Sequence, residues 1–92
     1  MNQPVVRWRA VVTGRVQGVW YRAFVADAAR RYGVAGFARN EPDGSVLVEL
    51  EGGQEAVASV IERCRIGPPL AEVTSVAVEA IDPNGSTRFG DR

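Results

Sequence analysis

Gly14-Arg15-Val16-Gln17-Gly18-Val19-Trp20-Tyr21-Arg22 marks the point at which this chain changes period. Before it, Val6, Trp8, Ala10 and Val12 alternate with Arg7 and Arg9, the period-two pattern of a half-buried strand over Val5 to Val12. After it, Tyr21, Phe24, Val25, Ala28, Ala29 and Tyr32 recur at helical spacing, while Asp27, Arg30 and Arg31 face elsewhere. Gly33 stands just past the last of them, in the place of a left-handed C-cap, so the helix is expected to end at about Tyr32. A strand that runs through glycines into a helix start presents backbone N–H groups to an anion, because the first four amides of a helix lack internal partners. Gly14 and Gly18 can take positive φ, and the amides between them are expected to converge into a nest. Arg22 falls in the first helical turn, where a cation opposes the helix dipole at a cost of roughly 0.3–1 kcal/mol. An anion such as phosphate, lying between Arg22 and the loop amides, removes that conflict.

Outward from this unit, Val34 to Asn40 reads as a second strand and Glu41-Pro42-Asp43-Gly44 as a turn. Val46, Val48 and Leu50 then alternate with Leu47, Glu49 and Glu51, a third strand paired antiparallel to the second and ended by Gly52-Gly53. From Gln54 to Arg65, the residues Val57, Val60, Ile61 and Cys64 share one helical face, and Gly67-Pro68-Pro69 stops the helix. Val73 to Ala80 is a fourth strand with Val76, Val78 and Ala80 on its inner face. After a turn at Asp82 to Ser86, Thr87-Arg88-Phe89 allows only a short fifth strand. The order β-α-β-β-α-β defines an α+β fold, the ferredoxin-like split βαβ sandwich, with two helices on one face of a four- to five-stranded antiparallel sheet. Trp8 and Phe24 are expected in the core, and Cys64 is expected to be a buried small hydrophobe.

Composition removes several chemistries. The 92 residues are expected to form a single domain over 1–92 with a formal net charge of zero, which argues against a nucleic-acid polyanion as partner. There is no histidine, and every cation is an arginine. Without histidine there is no imidazole for a Ser-His-Asp or Cys-His arrangement, and the lone Cys64 cannot build a usual zinc site or an intrachain disulfide. Without lysine there is neither a Schiff base nor a Walker A loop. Arginine remains, permanently charged and able to fork two N–H groups onto one phosphate. Arginines interrupt the apolar residues after Met1-Asn2-Gln3-Pro4, so no signal peptide or membrane span is expected, and the lone cysteine suits a reducing, cytoplasmic compartment.

The loop from Gly14 to Arg22 closely resembles the first signature of the acylphosphatases, and Gly36-Phe37-Ala38-Arg39-Asn40, with Gly44, Val46 and Gly52, is similar to that family's second signature. The resemblance extends through Gly67-Pro68-Pro69-Leu70-Ala71 to about Ala80. It implies that Arg22 and Asn40 are the catalytic residues and that the amides of Gln17, Gly18, Val19, Trp20 and Tyr21 cradle a phosphoryl group. It implies hydrolysis of acyl phosphates, small-molecule substrates, to carboxylate and phosphate. No metal or other cofactor, no nucleic acid and no membrane are implied, and a monomer is expected. Arg22 and the amides would hold the phosphoryl oxygens while Asn40 orients water, a job for an amide that donates and accepts without titrating. Tyr21 stands where the family usually has phenylalanine, which adds a hydroxyl that needs a partner. The closing Phe89-Gly90-Asp91-Arg92 departs from the family's aromatic-rich last strand. An RNA-recognition module shares the strand order, but the third strand carries Glu49 and Glu51 and no aromatic residue. A non-catalytic phosphate- or carbamoyl-phosphate-binding domain of the same fold stays open.

Overall fold

The computed structural model describes residues 4–90; Met1 to Gln3, Asp91 and Arg92 lie outside the described residues. Its elements run β1 (Val5–Arg15), α1 (Tyr21–Arg31), β2 (Ala35–Asn40), β3 (Val46–Gly53), α2 (Gln54–Ile66) and β4 (Glu72–Ile81). The strands form one antiparallel sheet in the order β2-β3-β1-β4, so the expected split βαβ topology is present. The register sets Ala10 opposite Val48 and Val12 opposite Val46. These residues and Leu50 are wholly buried against Val25 and Ala29 of α1 and Val57, Val60 and Cys64 of α2. Trp8 packs against this core from its rim, whereas Phe24 stays half-buried with the Arg63 guanidinium 5.3 Å above its ring, outside the core cluster. Tyr32 is likewise half out, because the helix ends there: the Val34 N–H donates to Ala29 O and the Gly33 N–H to Arg30 O.

Besides Phe24, two expectations change. β1 does not end at Val12 but continues to Arg15 along β4, with a bulge between Thr13 and Gly14. Gly14 therefore belongs to the sheet, where its φ of 119° seats the bulge and a Cβ would collide with the Glu72 carbonyl. On β4, Val76 packs against the core as expected, but Val78 and Ala80 are exposed although they face the helical side. The strand lies at the sheet edge, with β1 as its neighbour on one side only. Among the described residues no fifth strand forms, so the sheet has four of the four to five strands expected. Phe89 makes a single parallel bridge to Gly36, in which the Gly36 N–H donates to Arg88 O and the Gly90 N–H to Gly36 O.

That bridge sets the path of the tail, which leaves β4 at one edge of the sheet and reaches β2 at the other. On the way it covers Arg7, on the face away from the helices. Arg7 is only 3 % exposed: its guanidinium donates to Glu49 and Glu51 at 2.9 Å and to Asn84 Oδ1 and Ser86 Oγ at 3.2 Å. Glu51 in turn accepts the Asn84 and Gly85 N–H groups at 2.9 Å. Burial alone would raise the Glu51 carboxyl, but these N–H groups and the Arg7 charge outweigh it and hold the group below its ordinary value.

Candidate active site

Val16 to Trp20 link β1 to α1. Val16, Val19 and Tyr21 are buried, so apolar anchors pin the loop to the core while Gly18 and Trp20 between them stand out. Gly18 has a φ of 74°, with open space where a side chain would project. Trp20 is also left-handed, at φ 67° and ψ 18°, the one non-glycine residue with positive φ among the described residues. That conformation costs an L-residue roughly 1–2 kcal/mol. Its carbonyl accepts the Phe24 N–H at 3.0 Å and so begins α1.

Among the described residues no side chain caps the start of α1, and its first turn holds no acidic residue. Arg22 is exposed there and makes no hydrogen bond or ion pair among the described residues. Arg39, by contrast, is tied to Glu41 at 2.7 Å and lies over the Phe37 ring. Asn40, the last residue of β2, also keeps its side-chain amide free of protein partners among the described residues. A concavity of about 430 Å³ is lined by Val16, Gly18, Trp20, Tyr21, Arg22, Ala23 and Asn40. It brings together Gly18, Trp20, Tyr21, Arg22 and Asn40; Gln17 and Val19 do not line it. The expected nest between Gly14 and Gly18 shortens at its front, because Gly14 and Arg15 are paired with β4 and the free loop begins at Val16.

The reason Asn40 reaches the loop is a side chain that sequence reasoning used only for its amide. The Gln17 Nε2 donates to Glu41 O at 2.9 Å and to Ser45 O at 2.8 Å, joining the loop to both sides of the β2–β3 turn. The turn is itself tightened by the Ser45 hydroxyl and N–H, which bond Asp43 and hold its carboxyl below the usual range. A glutamine amide between glycines was the available signal, but its partners lie 24 and 28 residues away. Behind the site, the Tyr21 hydroxyl finds the partner it needs in Cys64 O at 2.7 Å. Burial raises the Tyr21 phenol far above its ordinary value and pushes the Cys64 thiol up to about 11, so neither supplies an anionic nucleophile near neutrality. Among the described residues no three His, Cys, Asp or Glu side chains gather as a metal site, and no helix is long and apolar enough to cross a membrane.

A split βαβ domain with an uncapped helix N-terminus, an unengaged first-turn arginine and a facing asparagine has the build of an anion-binding domain. The chain belongs to the acylphosphatase family, hydrolases acting on acid anhydrides: residues 8–90 match the family model described as Acylphosphatase. It is 52 % identical over 80 residues to an acylphosphatase of Anaeromyxobacter dehalogenans, covering 87 % of this chain and 86 % of that one. The crystal structure of acylphosphatase from Bacillus subtilis superposes with a TM-score of 0.89 at 36 % identity, covering 91 % and 94 % of the two chains. HypF of T. kodakarensis is similar at 28 % identity and a TM-score of 0.81, over 91 % of this chain but 11 % of that much longer one.

Proposed function

We propose that this chain hydrolyses the carboxyl–phosphate anhydride of acyl phosphates without a metal, and that Arg22 and Asn40 carry the reaction. The observation behind this reading is that Arg22 and Asn40, from separate elements and each without a protein partner among the described residues, line one concavity at the start of α1. Arg22 and the amides of the loop from Gln17 to Tyr21, of which Gly18, Trp20 and Tyr21 line the concavity, hold the phosphoryl oxygens and stabilise the charge that spreads over them in the transition state. Asn40 accepts a hydrogen bond from the attacking water through Oδ1 and directs its oxygen at phosphorus. The water's oxygen forms the new P–O bond as the bond to the carboxylate breaks; the carboxylate leaves with that electron pair, and the water's two protons stay with the inorganic phosphate, which is released as dihydrogen phosphate. A carboxylate needs no proton in order to leave, so the reaction runs without a general acid such as histidine. The permanent charge of Arg22 serves where other phosphoryl-transfer sites use a metal ion.

No proposed catalytic side chain titrates near neutrality, so turnover is expected to vary little between about pH 6 and 7.5. The remaining parts of the proposal are a single domain over residues 1–92, working as a monomer in the cytoplasm, where the lone cysteine stays reduced. The test is release of carboxylate and phosphate from acetyl phosphate, with chelator present, by the intact protein, Arg22→Ala and Asn40→Ala. Each variant is expected to lose about 10²-fold or more in kcat/KM while remaining folded. Absence of turnover by the intact protein, with phosphate still bound through Arg22, overturns the reading in favour of a phosphate-binding domain.

A further inference from the structure

The Trp20 side chain is left unexplained by phosphate binding, which uses only its amide. It is 79 % exposed, more than any other large apolar residue among those described. It stands in a left-handed conformation that glycine or asparagine adopts with less strain. Among the described residues its ring makes no contact with another ring or with a cation, and it neither belongs to the core nor packs against it. An exposed aromatic on a strained backbone is doubly unfavourable in the free protein, and such combinations gather at functional sites. Trp20 lines the same concavity as Arg22 and Asn40, and the buried Val19 and Tyr21 fix its backbone from either side.

A phosphoryl group in the cradle must leave its organic part outside it, because the anhydride oxygen lies opposite the attacking water in an in-line displacement. The flat, apolar wall at the rim of the cradle is then the indole of Trp20. We infer that Trp20 reads the acyl group: its ring face receives the organic half of the substrate and favours planar, aromatic acyl phosphates over small aliphatic ones. The inference rests on the acyl-phosphate reading above and adds to it the class of acyl group. Aromatic pairs stacked in this way gain enough beyond simple burial for a discrimination of about tenfold.

The experiment compares kcat/KM for benzoyl phosphate and acetyl phosphate in the intact protein, Trp20→Gly and Trp20→Phe. Glycine removes the ring and suits the left-handed backbone, and Trp20→Asn serves the same purpose if the glycine variant does not fold. The benzoyl-to-acetyl ratio of kcat/KM is expected to fall about tenfold in Trp20→Gly, chiefly through KM for benzoyl phosphate, and to be largely kept in Trp20→Phe. A ratio unchanged by loss of the ring, with both substrates turned over, overturns the role of Trp20 and leaves the activity standing. Failure of the intact protein on both substrates overturns the acyl-phosphate reading instead.

Discussion

Replacing Gln17 by leucine removes both bonds that fasten the loop to the β2–β3 turn and keeps most of the side-chain volume. Each neutral hydrogen bond contributes a net ~0.5–1.5 kcal/mol. Neither acceptor is orphaned, since Glu41 O keeps the Gly44 N–H and Ser45 O keeps the Glu41 N–H. The loss of stability is therefore expected near the low end, about 1–2 kcal/mol, which leaves a domain of ordinary stability almost wholly folded. The catalytic effect is expected to be larger than that figure suggests. Asn40 precedes Glu41 directly, and a displacement of about 1 Å of a positioning group costs up to ~10²-fold in rate. A fall of about 10- to 100-fold in kcat/KM for acetyl phosphate is the expected result, with urea unfolding confirming a folded protein. The diagnostic comparison is a double-mutant cycle with Asn40→Ala: if Gln17 acts by placing Asn40, its replacement costs little once Asn40 is gone. Equal losses in the two backgrounds refute the coupling, and a loss below about threefold in the otherwise intact protein refutes the positioning itself.

Arg7→Met removes the buried cation shared by Glu49 and Glu51, leaving Glu49 to Arg9 at 3.0 Å and Glu51 to the Asn84 and Gly85 N–H groups, and is expected to destabilise the fold by about 2–3 kcal/mol, read as a lowered urea midpoint with kcat unchanged where the protein is still folded. A loss under about 1 kcal/mol would show the network to be solvated. Glu51, held below its ordinary value of 4.5, contributes stability that is complete above that pH and is lost as pH falls through its depressed folded value. Melting temperatures measured from pH 7 to pH 3 are expected to fall more steeply for the intact protein than for Glu51→Gln, and parallel curves would refute the linkage.

The alternation of Val6, Trp8, Ala10 and Val12 and the periodic stripes of α1 and α2 made the sandwich legible, because each element's pattern is local. The loop and the hairpin that carry Arg22 and Asn40 were legible for a different reason: paired motifs tie residues together that no period relates. What escaped depends on distant parts of the chain. Arg7 reads as a solvent-facing strand residue until a tail 77 residues away is laid across it. A strand pattern states which way Val78 faces but not whether a helix covers that face. Gly14 looks like a loop glycine until β4 extends β1 to Arg15 and makes it the seat of a bulge. The left-handed turn at Trp20 had no signal, since tryptophan is not a residue chosen for that conformation.

The path of the tail also governs when the domain can form. A chain delivered from its N-terminus presents β1 first, but the neighbours of β1 are β3 and β4, the third and last strands to appear. Arg7 and Glu51 are not enclosed until Asn84 and Ser86 arrive, and the free edge of β2 is not met until Phe89. Most of the sheet is thus assembled from partners far apart in sequence, the arrangement that folds slowly and rewards nothing until late. During synthesis the apolar face of β1 waits for β3, α2 and β4, so the structure is complete only once Phe89 has emerged, and the interval before it is when the nascent chain is most open to capture by chaperones or by other chains.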